Sequence, residues 1–214
     1  MNTDPNAIRV LCYGDSNTYG VNPETFKRYP ANVRWTGLLQ NLLGGGYEVI
    51  EEGLGGRFAE LNVSGNIEKN GKAYLAPCIK SHSPFDIIII NLGTNDFKDK
   101  SLTAKDVANR CEELVKIVQE NAYNEEDAVP KVILVCPPEI NDTIECAIEW
   151  RLGNSTKKIK QLPKELQLVA GKYGAEFVNL QELVEPSLKD GVHLDPESHR
   201  IIAGEIFNKI TNLK

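Results

Sequence analysis

Four short stretches, far apart in the chain, hold residue types that together can transfer an acyl group: "YGDSNTYG" at residues 13–20, "GLGG" at 53–56, "GTND" at 93–96 and "DGVH" at 190–193. A serine hydroxyl is a weak nucleophile until an imidazole takes its proton. The imidazole in turn needs a carboxylate to fix its tautomer and stabilise its charged form. Ser16 supplies the hydroxyl, and Asp190 and His193 supply the other two groups from one turn, where Gly191 permits a tight bend. The oxyanion formed at an attacked ester carbonyl requires donors, and the N–H of Ser16, the N–H of Gly56 and the side-chain amide of Asn95 are the candidates. Gly55 is the alternative to Gly56.

To act together these stretches must meet at one edge of a scaffold. Apolar runs at 8–13, 47–51, 86–91 and 131–136 read as strands, with a shorter fifth at 175–180. The run "DIIIINL" does not alternate, so both faces of that strand are covered, as in the middle of a parallel sheet. Helical spacing fills the intervals. Val33, Leu38, Leu39, Leu42 and Leu43 precede a stop at Gly44, and Val107, Cys111, Leu114, Val115 and Val118 follow a variant capping box made by Thr103 and Asp106. A last helix opens at Asp195-Pro196 and carries Ile201, Ile202, Ile206, Phe207 and Ile210. Between 141 and 174, Pro163 splits a helical pattern into two pieces or kinks it. Alternating strands and helices specify a doubly wound parallel α/β sheet, in which ligands sit beyond the carboxyl ends of the strands. Ser16, Gly56 and Asn95 follow the first three strands, and "DGVH" lies beyond the fifth.

The 214 residues suit a single domain spanning 1–214. A net charge of -6 argues against nucleic acid or an anionic membrane as partner and favours small or neutral substrates. No apolar run is long enough for membrane insertion, and the N-terminus lacks the pattern of a secretory signal. Five cysteines without C-x-x-C spacing favour reduced thiols over a disulfide framework or a zinc site, so the expected location is cytoplasmic. Neither a dinucleotide fingerprint, nor a P-loop, nor a G-x-S-x-G elbow occurs.

The ordered blocks "GDSN", "GLGG", "GTND" and "DGVH" resemble those of the GDSL-type esterases, or SGNH hydrolases. The longer stretches "VLCYGDSNTYG", "VRWTGLLQNLL", "EVIEEGLGGR" and "IINLGTND" are similar to the bacterial arylesterase and acyltransferase branch. The resemblance implies a flavodoxin-like three-layer α/β/α fold with five strands and a serine esterase acting on small-molecule esters without cofactor or metal. It also implies Ser16 as nucleophile, Gly56 and Asn95 as oxyanion donors, and Asp190 with His193 completing the triad; a homo-oligomer is compatible with it. Asn17 stands where the family motif has leucine. Short-chain acyl or aryl esters are the expected substrates. Carbohydrate deacetylation, thioester or lysophospholipid cleavage by the same triad, and a flavodoxin-like binding module without activity, remain the alternatives.

Other residues receive structural readings. Asp15 is expected to bond to nearby backbone N–H groups, and Asp96 to serve a turn or cap. His82 is expected near the amino edge of the sheet, His199 on a solvated helix surface, and Cys136 in the packing. Tyr19, Trp35 and Trp150 are candidate pocket walls, alongside Pro137-Pro138 and loops at 57–82 and 137–156. Asn62-Val63-Ser64, Asn141-Asp142-Thr143 and Asn154-Ser155-Thr156 match the glycosylation sequon but are expected to be unmodified.

Overall fold

A computed structural model describes residues 2–61, 67–121 and 128–213. In chain order the strands are β1 (Ile8–Gly14), β2 (Tyr47–Gly53), β3 (Ile87–Asn91), β4 (Lys131–Cys136) and β5 (Glu176–Asn179). The helices are α1 (Ser16–Tyr19), α2 (Trp35–Leu43), α3 (Gly71–His82), α4 (Ala104–Asn121), α5 (Glu145–Glu149), α6 (Thr156–Ile159), α7 (Leu162–Tyr173) and α8 (Pro196–Thr211). Three 3₁₀ turns, at Ile67–Lys69, Asn95–Lys98 and Leu180–Glu182, complete the set.

All strand pairs are parallel and the order is β2-β1-β3-β4-β5. Ile87 through Asn91 are all buried, as the unbroken apolar run requires. Ile88 and Ile90 pack with Leu75, Leu114 and Leu166 of α3, α4 and α7. Ile89 packs on the opposite face with Leu39 of α2 and Ile202 and Ile206 of α8. This is the expected three-layer α/β/α sandwich. Each isoleucine so enclosed contributes about 1.5–3 kcal/mol relative to its exposed state, which makes the sheet centre the rigid base of the site.

The strand order reverses around β1 and β3, which opens a crevice at their carboxyl ends. The register keeps those ends level, with Gly14 opposite both Gly53 and Asn91. Whatever follows these three strands therefore shares one rim.

The capping box at Thr103 and Asp106 is present: Thr103 N–H donates to Asp106 Oδ2 (2.8 Å) and Asp106 N–H to Thr103 Oγ1 (3.2 Å). α2 ends at Gly44 as expected, but Leu42 faces solvent at 50% exposure because the buried stripe is Trp35, Thr36 and Leu39. Pro163 falls in the first turn of α7, where its missing N–H has no helical partner to lose, and the stretch 141–174 holds three helical pieces, α5, α6 and α7, rather than the expected two. The stretch 57–82, read as a loop, instead contains the twelve-residue α3. Pro77 inside it and a thin apolar stripe of Leu75, Cys78 and Ile79 hide its period. The sequon at 62–64 and that part of the expected wall lie outside the described residues. Among the described residues no helix is long and apolar enough to cross a membrane.

Candidate active site

Ser16 opens the short helix α1 at the end of β1, with Asp15 as its N-cap. Asp15 Oδ1 accepts the Asn17 N–H at 2.9 Å, which fixes the turn and leaves the Ser16 N–H without a hydrogen-bond partner among the described residues. Burial pushes the Asp15 carboxyl above its ordinary value, opposed by that N–H and by His193, Lys98 and Arg57 nearby. Ser16 is 8% exposed, so its hydroxyl sits in a recess rather than on an open surface.

His193 and Asp190 are paired within one turn. His193 Nδ1 lies 2.6 Å from Asp190 Oδ2, while Asp190 Oδ1 accepts the N–H groups of Val192 and His193, each at 2.9 Å. Burial works to raise the Asp190 carboxyl, yet these bonds and the imidazole hold it below its ordinary value, so it remains an anion facing Nδ1. Gly191 makes the turn possible: its φ is 77°, and a Cβ there would stand 2.4 Å from Asn141 O. Trp150 meets the imidazole edge-to-face at 5.3 Å and Phe26 meets Trp150 at 5.9 Å, forming an aromatic wall on one side of His193.

The second block forms a tight turn. Arg57 N–H donates to Leu54 O at 3.1 Å, and Gly56, third of the four residues, has φ 75°. A type II turn demands positive φ at that position, which accounts for Gly56 and leaves its N–H without a backbone partner among the described residues. Gly55 occupies the exposed corner before it. Arg57 beneath the turn is 2% exposed; its guanidinium donates to Gly14 O (3.0 Å) and to Glu52 O, and stacks on Tyr13 at 4.2 Å.

Hydrogen bonds between neighbouring residues tie the four blocks together. Asn95 Nδ2 donates to Arg57 O at 3.0 Å and reaches Asp15 Oδ2 at 3.4 Å. Asn17 Nδ2 donates to Val192 O at 3.3 Å. The residue after Ser16 thus holds the residue before His193, and Asn95 bridges the residue before Ser16 to the residue after Gly56. The structure brings Ser16, Gly56, Asn95, Asp190 and His193 to one rim.

Several structural readings change. His199 is fully buried, not solvated: Nδ1 accepts the Trp35 N–H at 3.2 Å, Tyr29 packs on its ring, and Nε2 has no partner among the described residues. Burial drives its pKa down to about 4, with the charge of His193 adding to the effect and Asp195 opposing it. Trp35 is 1% exposed in the layer between the sheet and α8, so it does not line a pocket. Asp96 is more than a turn residue. It accepts the Ala59 N–H at 2.8 Å and pairs with Arg110 at 3.0 Å, pinning the segment after the Gly56 turn. Its complete burial raises its pKa to about 6 against those bonds. Asp15 and Cys136 behave as expected, the thiol fully buried and pushed up by that burial. His82 closes α3 with its carbonyl on Arg9 at the start of β1, the amino edge, though its ring extends to 3.5 Å from Glu52. A broad groove lined by Arg34, Thr36, Gln40 and Glu51 opens at the β2 edge, and none of its lining residues belongs to the four blocks.

The model of the GDSL-like Lipase/Acylhydrolase family matches residues 12–201, a span that contains all four blocks. The chain belongs to this family. Among solved structures it is similar to Est24, a carbohydrate acetylesterase from Sinorhizobium meliloti, at 33% identity and TM-score 0.89 over 97% of this chain and 100% of that one. The aryl esterase of M. smegmatis matches at 30% identity and TM-score 0.90, again over 97% and 100%. A lipolytic G-D-S-L family protein from Veillonella parvula, at 13% identity and TM-score 0.72, shares the fold. No curated protein matches the chain. As a member of the family with esterase neighbours, this GDSL-like protein is a carboxylic ester hydrolase.

Proposed function

We propose that this GDSL-like hydrolase cleaves short-chain acyl or aryl esters through an acyl-enzyme on Ser16. His193 Nε2 takes the Ser16 proton as Oγ bonds to the ester carbonyl carbon. The carbonyl oxygen becomes an oxyanion held by the N–H groups of Ser16 and Gly56 and by Asn95 Nδ2, which gives up its 3.4 Å contact with Asp15 to donate to it. Collapse breaks the bond to the alcohol oxygen, which leaves with the proton from His193. Water, activated by the same imidazole, then releases the acid and restores Ser16. Another alcohol in place of water completes an acyl transfer.

The observation that carries this reading is the 2.6 Å contact of His193 Nδ1 with Asp190, in a turn hydrogen-bonded to the residue after Ser16. Trp150 and Phe26 offer an apolar face for an aryl or alkyl group. A carbohydrate O-acetyl ester is the second reading, supported by the similarity to the S. meliloti acetylesterase. A panel of p-nitrophenyl acetate, butyrate and octanoate with an acetylated sugar separates them. Turnover falling with chain length and absent in Ser16→Ala supports the first reading; preference for the sugar supports the second. Loss of no activity in Ser16→Ala overturns both.

The reading extends to location and assembly. Five free cysteines, four of them buried, support a reducing compartment such as the cytoplasm. A homo-oligomer remains part of this reading, and gel filtration with light scattering would detect it.

A further inference from the structure

The protein is acidic overall, yet cations stand close to the turns that hold its candidate oxyanion donors. Lys98 ends the 3₁₀ turn that begins with Asn95, and in such a turn residues three apart eclipse one another. Lys98 therefore stands on the same face as the candidate oxyanion donor. Lys69 comes from the 3₁₀ turn at Ile67–Lys69, and its Nζ lies 3.5 Å from the point a Cβ on Gly56 would occupy. Arg151, exposed, directly follows the Trp150 that abuts His193.

What sets the two lysines apart is the lack of a partner. Among the described residues, each of the other Lys and Arg side chains that is not exposed makes a hydrogen bond or ion pair. Arg9, Arg34, Arg57, Lys72, Arg110 and Lys116 pair with carboxylates. Lys209 also pairs with a carboxylate, and Lys158 donates to two carbonyls. Lys69 and Lys98 have neither, although both are partly buried. Lys98 has the face of Phe58 at 5.8 Å and the buried Asp15 within electrostatic range. Burial lowers its pKa, with Asp15 opposing and the charges of Lys69 and Arg151 adding to the fall. Withdrawing a cation from water with neither a hydrogen bond nor a salt bridge is unfavourable, and cations gathered at one recess attract an anion.

We propose that Lys69 and Lys98, with Arg151 at the rim, form an anion-binding subsite beside the oxyanion donors, so that the preferred substrate is an ester bearing a carboxylate near the scissile bond. This rests on the esterase reading and names the substrate class for it. The net charge of -6 favours neutral substrates only if charge is spread evenly, and around this recess it is not.

Two isosteric pairs locate the charge: monoethyl succinate against ethyl 4-methylpentanoate for an acyl-side anion, and 4-acetoxybenzoate against 4-isopropylphenyl acetate for an alcohol-side anion. In at least one pair the wild type is expected to favour the anion in kcat/KM by about tenfold or more, the range of a charge-assisted hydrogen bond. Added salt should shrink the ratio by screening. The ratio should collapse towards unity in Lys69→Met/Lys98→Met and survive in Lys69→Arg/Lys98→Arg, a contrast that loss of folding alone does not produce. Ratios near unity in the wild type, or ratios equal in the Met and Arg variants, overturn the subsite while turnover of p-nitrophenyl acetate keeps the esterase reading. Absence of p-nitrophenyl acetate turnover in the wild type overturns both.

Discussion

Replacing His199 with asparagine removes a buried proton-binding group while retaining an acceptor near the position of Nδ1, where the Trp35 N–H donates. In the native protein burial pushes this imidazole from its ordinary 6.5 down to about 4. The unfolded chain therefore takes up a proton at mildly acid pH that the folded chain refuses. The associated stability is complete above the ordinary value and is lost as pH falls through that window towards about 4. The fall from 6.5 to about 4 corresponds to about 3 kcal/mol, a large part of the roughly 5–15 kcal/mol that holds a domain folded. Urea unfolding of wild type and His199→Asn at about pH 7.5 and about pH 4 measures this directly. The wild type should lose about 3 kcal/mol more than the variant over that interval. Contributions from titrating groups not coupled to His199 are common to the two proteins and cancel, and burial, the largest cause of the shift, is removed with the imidazole. Equal losses would refute the inference that His199 is held neutral by burial.

Asp96 should give the opposite sign. Its folded pKa is raised to about 6, so the stability gained by protonation is present below its ordinary 3.8 and lost as pH rises through about 6. The stability of wild type relative to Asp96→Asn should accordingly fall between about pH 4 and about pH 7 in the same urea assay. Gly191→Ala and Gly56→Ala make a contrast at nearly equal φ: the former meets Asn141 O at 2.4 Å and should unfold or displace the His193 turn. The latter meets nothing nearer than 3.5 Å and should cost only the about 1–2 kcal/mol of left-handed backbone, read by thermal melting. Asn95→Ala should lower kcat for p-nitrophenyl acetate by about a hundred- to a thousandfold with circular dichroism unchanged.

The sheet was legible in the sequence because buried parallel strands are written as unbroken aliphatic runs; Ile87 to Ile90 is the clearest case. The four blocks were legible because chemistry needs particular residue types at strand ends. α3 was not, since Pro77 and the short stripe around Leu75 and Cys78 do not produce a helical period. His199 was misread because its partner, the Trp35 N–H, is 164 residues away, and no local pattern reports a contact of that range. Asp96 was underrated for the same reason, its partners Ala59 and Arg110 lying on other elements. The charge beside the donors was hidden by the net value, because Lys69 reaches the Gly56 turn only in the fold.

Whether Ser16 forms the covalent acyl-enzyme is decided by intact-mass analysis after treatment with a fluorophosphonate. One phosphonyl adduct per wild-type chain is expected, with parallel loss of p-nitrophenyl acetate turnover, and no adduct on a folded Ser16→Ala variant. Labelling of that variant to the same extent, or its undiminished turnover, would show that Ser16 is not the nucleophile.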